Sequence, residues 1–152
     1  MLIGARVWLW GLLAVCFIPV SVLAAGQIVI VSFPKNNMLL KVSLENEMRF
    51  SLSFVHSVSK TRVTDLYEIR GNQIVQIREY FSAHGAGLPS SPEEPDGIRW
   101  EKQKSQFVLH MERFIPKLVV RTDKNYENRL KIQSRTINLN QWEDQALQLY
   151  IE

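Results

Sequence analysis

Asp65, Glu79 and the three histidines, His56, His84 and His110, are the side chains whose types and spacing could support chemistry in this 152-residue chain. Paired carboxylates can hold a cation or share a proton, because two like charges in a partly dry place cannot both stay ionised unaided. His56-Ser57 invites a nucleophile reading, which Asp65 would complete on paper. Adjacent residues of a strand point to opposite faces, however, and no G-x-S-x-G elbow is present. The histidines lack zinc-ligand spacing, and His110 is opposite in parity to Phe107, Leu109 and Met111. A hydrolase or zinc site is therefore disfavoured, and neither a catalytic residue, a metal nor a cofactor is assigned.

The elements that must position these groups have a two-residue period. Phe50, Leu52, Phe54 and His56 share one face. Val63, Asp65, Tyr67 and Ile69 share another, as do Val75, Ile77, Glu79 and Phe81. The apolar faces of residues 62–70 and 73–83 must meet on the same side of a sheet. A two-residue Gly71-Asn72 turn would set Tyr67 opposite Gln76 and mismatch them. A three-residue Gly71-Asn72-Gln73 loop pairs Tyr67 with Ile77 and Asp65 with Glu79, and is preferred. Asp65 and Glu79 then become neighbours on the apolar face, with His56 at the same end of the hairpin. The cation between them could be a His56 imidazolium, a buried arginine or a metal ion. A satisfied polar network that merely fixes register is the competing reading.

A connection rich in turn formers, HGAGLPSSPEEPDG, follows from His84 to Gly97. Long connections of this kind are often functional. Gly85 and Gly87 permit backbone conformations closed to other residues, and Leu88-Pro89 supplies a rigid apolar tip. The segment reads equally as a binding loop or a connector.

Further β-rich runs extend to the C-terminus, bringing the total to about ten short strands. The expected fold is all-β: a single compact antiparallel β-sandwich or small β-barrel. Ahead of it, Arg6, an uncharged apolar run from Val7 to Leu23, and the small residues Val22 and Ala24 form the three parts of a signal peptide. The division is signal peptide 1–24 and one β-rich domain 25–152, exported or periplasmic. An uncut signal would instead anchor the domain to the inner membrane, and a lipid-modified Cys16 is a further alternative. Cys16 is the sole cysteine, so the domain has no disulfide scaffold. The whole chain has 18 Lys and Arg, 17 without Arg6, against 15 Asp and Glu, and these charges are interspersed, which disfavours nucleic-acid binding.

His56-Ser57-Val58, an acid with Tyr67 on the next strand, then Phe81-Ser82 and Gly85-Ala86-Gly87-Leu88-Pro89, resemble one bacterial family. It is a domain-of-unknown-function family encoded beside TRAP transporters of the TAXI type, and the similarity covers roughly residues 28 to 151. The family usually carries glutamate where this chain has Asp65, a shorter acid that keeps the charge and reaches less far. The resemblance implies a non-enzymatic accessory protein of a TAXI-type solute-uptake system, binding its substrate-binding protein or permease. An independent periplasmic small-molecule or cation-binding protein is the alternative. Together, residues and resemblance give the candidate binding set His56, Ser57, Asp65, Tyr67, Glu79, His84, Gly85, Ala86, Gly87, Leu88 and Pro89.

Overall fold

The computed structural model describes residues 26–85, 87–91, 93–142 and 145–152. The expected signal peptide, Cys16 and Ala86 lie outside them. The alternating runs form strands β1 (Gln27–Phe33), β2 (Met38–Ser43), β3 (Arg49–Val55), β4 (Arg62–Arg70) and β5 (Gln73–Phe81). After the long connection come β6 (Gly97–Gln103), β7 (Gln106–Ile115), β8 (Leu118–Arg121), β9 (Arg129–Ile132) and β10 (Arg135–Asn138). A single 3₁₀ turn at Leu139–Gln141 precedes β11 (Ala146–Ile151). Among the described residues no helix is long and apolar enough to cross a membrane.

All strand pairs are antiparallel. They build a four-stranded sheet, β2-β1-β11-β8, and a seven-stranded sheet, β10-β9-β3-β4-β5-β7-β6. The two pack face to face as a sandwich, and neither closes into a barrel. Ile28 and Ile30 of β1 and Leu147 and Leu149 of β11 meet Phe50, Ile69 and Leu130 of the larger sheet in the main core. A smaller cluster holds Val63, Phe81, Leu88, Leu109 and Met111 and contains no residue of the four-stranded sheet. Leu88, from the long connection, belongs to it instead, and burial of such side chains stabilises by about 1.5–3 kcal/mol each.

The β4–β5 hairpin departs from the expected register. Arg70 pairs with Gln73 across a two-residue Gly71-Asn72 turn, not the three-residue loop. Gly71 sits at φ 65°, and glycine at the first central position is the type II′ pattern, whose twist suits adjoining strands. Tyr67 accordingly lies opposite Gln76. A bulge then leaves Ile77 without a partner on β4, so that Leu66 pairs with Arg78 and Asp65 with Glu79. One extra residue inverts the facing of everything beyond it. Ile74 and Gln76 face the core side above the bulge, Glu79 and Phe81 below it. The face mismatch is thus resolved inside β5 rather than at the turn, and the Asp65–Glu79 pairing is reached by another route.

Candidate functional site

Asp65 and Glu79 stand opposite each other on the sheet's inner face, between the two apolar clusters. The protein satisfies them unequally. Tyr67 donates its hydroxyl to Asp65 Oδ2 at 3.2 Å, and Gln76 Nε2 donates to Oδ1 at 3.0 Å. Tyr67 is itself held by stacking on Phe50, ring centroids 5.0 Å apart. Gln76 reaches Asp65 because it precedes the bulge. Glu79 receives no side-chain hydrogen bond among the described residues.

Burial pushes Asp65 up to about 6, against the opposing pull of its bonds to Tyr67 and Gln76 and the charge of Arg113. Glu79 is pushed up to about 7, first by burial and then by the negative charges of Asp65 and Glu94, with Arg113 opposing. Burial and the neighbouring carboxylates raise the Tyr67 hydroxyl well above its ordinary value, so it remains a donor. Arg113, on β7 opposite Gln76, acts on the pair only at a distance. Its Nε donates to Asp96 Oδ2 at 3.1 Å, and its Nη2 donates to the Pro95 carbonyl at 2.8 Å.

The pair opens into a cleft of about 490 Å³ at one end of the sandwich. Leu52–Val55 of β3 and the His56-Ser57 turn form one side, Leu118–Arg121 of β8 the other, with Tyr126, Asn128 and the Gly87-Leu88 tip completing it. Walls that mix apolar Leu52, Phe54, Leu118 and Val120 with polar Ser53, Ser57, Arg121 and Asn128, around the acids Asp65 and Glu79, suit an organic group that carries positive charge or hydrogen-bond donors.

Seven of the candidate residues share this cleft: His56, Ser57, Asp65, Tyr67, Glu79, Gly87 and Leu88. His56 is not the cation between the acids. Its Nδ1 accepts the backbone N–H groups of Val58 at 3.3 Å and Ser59 at 3.2 Å, a role that needs the lone pair of the neutral ring. The turn after β3 explains this: with the strand ending at Val55, the ring folds back to cap its own loop. Ser57 forms no hydrogen bond with His56, so there is no local dyad. His84 stands apart from the cleft, exposed and packed on Phe81, Trp100 and Phe107. Gly85 and Leu88 close a tight turn, with Gly85 at φ 82° and Gly87 at φ 87°. No heavy atom would crowd a Cβ at either, so backbone conformation is what requires glycine. Pro89 is buried, its carbonyl 3.5 Å from His84 Nδ1. No three His, Cys, Asp or Glu side chains among the described residues gather as a metal-ligating group.

The residues alone do not mark Gln76, which an unbulged strand turns to solvent, and no buried arginine stands between the acids among the described residues. Nor do they mark Leu118–Arg121, Tyr126 and Asn128, whose approach depends on how the sheets stack. A family model, the domain of unknown function DUF1850, matches residues 50–139. That span holds the seven-stranded sheet from Phe50 onward, β8 and every residue lining the cleft, while β1, β2 and β11 lie outside it. No curated protein and no solved structure matches the chain.

Proposed function

The chain belongs to the DUF1850 family, and from that premise we propose that it is an exported, non-enzymatic binding module. In this reading it is an accessory protein of a TAXI-type TRAP solute-uptake system, and its cleft holds a cationic group of the substrate-binding protein or permease. The observation that carries the binding half is the Asp65–Glu79 pair. Two carboxylates face one cleft with partly apolar walls, and among the described residues side-chain donors serve only the first of them. A cation placed there supplies what Glu79 lacks and relieves the repulsion between the two. The uptake setting is supported by the His56-Ser57-Val58 and Gly85–Pro89 motifs.

The experiment is co-purification from native membranes with the TAXI-type binding protein and permease, for the natural protein and Glu79→Gln. The proposal expects one of them to be retained and at least ten-fold less to be retained by the variant. Absence of both from the natural protein's complexes would refute the accessory role. A volume near 490 Å³ also falls in the range of small-ligand sites, which favours an independent ligand-binding protein as the second reading. Native mass spectrometry of the exported protein separates the two, since a retained ligand adds a definite mass.

A further inference from the structure

All four residues of β8 line the cleft, although alternate side chains of a strand point to opposite faces. The strand therefore presents its edge to the cavity. Among the described residues it is the last strand of its sheet, bonded only to β11, so the backbone groups of its other side have no sheet partner there. On the facing wall, β3 pairs with β9 only over Ser51–Ser53, and consecutive residues of both parities, Leu52 to Ser57, also line the cleft.

Exposed edges invite added strands unless they are blunted by charge, bulging or cover. The edge strand β6 carries Arg99, Glu101 and Lys102 and is bulged against β7. The edge strand β2 carries Lys41 and is bulged against β1. β8 reads Leu-Val-Val-Arg, pairs with β11 without a register shift, and leaves Val119 41% exposed. Its one charge, Arg121, alternates away from Leu118 and Val120, which face inward.

Resting on the reading of Asp65 and Glu79 as a cation site, we propose that the occupant is an extended peptide segment of a partner protein. It adds to the open edge of β8 and points one lysine or arginine side chain at the two carboxylates. Main-chain hydrogen bonds to β8 provide affinity without regard to sequence, and alternate side chains facing the cleft provide selection. The basic side chain matches the sign of the floor, and apolar residues two positions away would pack on Leu52, Phe54, Leu118 and Val120. The four residues of β8 span about 13 Å, enough for a short added strand.

The test uses the intact protein and a pool of eight-residue peptides randomised at alternate positions around a fixed central lysine. A second pool is N-methylated along one edge, which removes the bonding N–H groups and keeps the side chains. The proposal expects binders in the first pool, protection of β8 amides from hydrogen exchange, and at least ten-fold weaker binding by the methylated forms and by Glu79→Gln. Equal binding of methylated and unmethylated forms would overturn strand addition. So would the absence of any binder, or concentration-dependent protection of β8 without peptide, which would make a second copy the occupant. A parallel titration with n-butylammonium reports on the carboxylates alone. A response of Glu79 to the amine, with no peptide bound, would leave the cation site standing and remove the strand.

Discussion

The two ends of this sandwich are built from the same alternating strands and differ in what covers them. At the closed end β1 and β11 lie across the larger sheet, and Ile28, Ile30, Leu147 and Leu149 are each 1% exposed or less. At the open end the covering sheet finishes in the short β8, and the inner face carries Asp65 and Glu79 beside a cleft. The closed end excludes water and needs no polar chemistry. The open end excludes enough water to raise two carboxyl groups, yet among the described residues it gives one of them no side-chain hydrogen bond. Incomplete cover, together with the β5 bulge that turns Glu79 inward, creates the site.

The contrast can be broken first by truncation. Leu147→Ala in the closed core should lower stability by about 2–5 kcal/mol, as large-to-small changes in packed cores do. Leu118→Ala on the cleft wall should cost about 1–2 kcal/mol, because its neighbours already border open space. Urea midpoints would measure both, and equal losses would show that the two ends are packed alike.

The next effect is on pH dependence. Asp65 and Glu79 have folded values, about 6 and about 7, above their ordinary ones. The folded protein therefore keeps protons that the unfolded chain has already lost. The contribution of these two acids to stability is fully present below about pH 4, is lost as pH rises through 7, and does not change above that. Asp65→Asn should flatten this decline and stabilise the protein at pH 8 by about 1–2 kcal/mol. The shift itself is worth about 3 kcal/mol, and disturbed hydrogen bonds offset part of that. A variant that is less stable at pH 8 yet keeps the full decline would contradict the assignment.

Tyr67→Phe is smaller in effect, about 1 kcal/mol, since it removes one donor from Asp65. It should raise the Asp65 titration above 6 when followed by carboxyl NMR. Arg113→Gln should raise the titrations of both acids while changing stability by about 0.5 kcal/mol or less. The arginine is 34% exposed, and its bonds are to Asp96 and Pro95 rather than to the pair. If Glu79 does not move in that variant, the long-range attraction is absent.

Much of this architecture is legible in the residues. Alternation marks the strands, and the requirement that apolar faces meet brings Asp65 and Glu79 together. The same rule could not locate the correction between the faces, because a longer turn and a bulge at Ile77 restore the match equally well. Choosing between them depends on β7 as well, which pairs Gln76 with Arg113 and Arg78 with His110 and so skips Ile77 again. Chain proximity places His84 with the Gly85–Pro89 tip, but the Gly85–Leu88 turn sends the tip toward the cleft and leaves the imidazole on the aromatic cluster. The β8 wall and Tyr126 carry no local signal, since sheet stacking is set by the whole core rather than by any one period.

The most direct test of the site is carboxyl NMR of Asp65 and Glu79 across pH, with and without n-butylammonium. The account predicts titrations near 6 and 7 in the free protein, both moving downward when the amine binds and its charge favours the ionised forms. Ordinary carboxylate titrations near pH 4 that the amine leaves unmoved would contradict it.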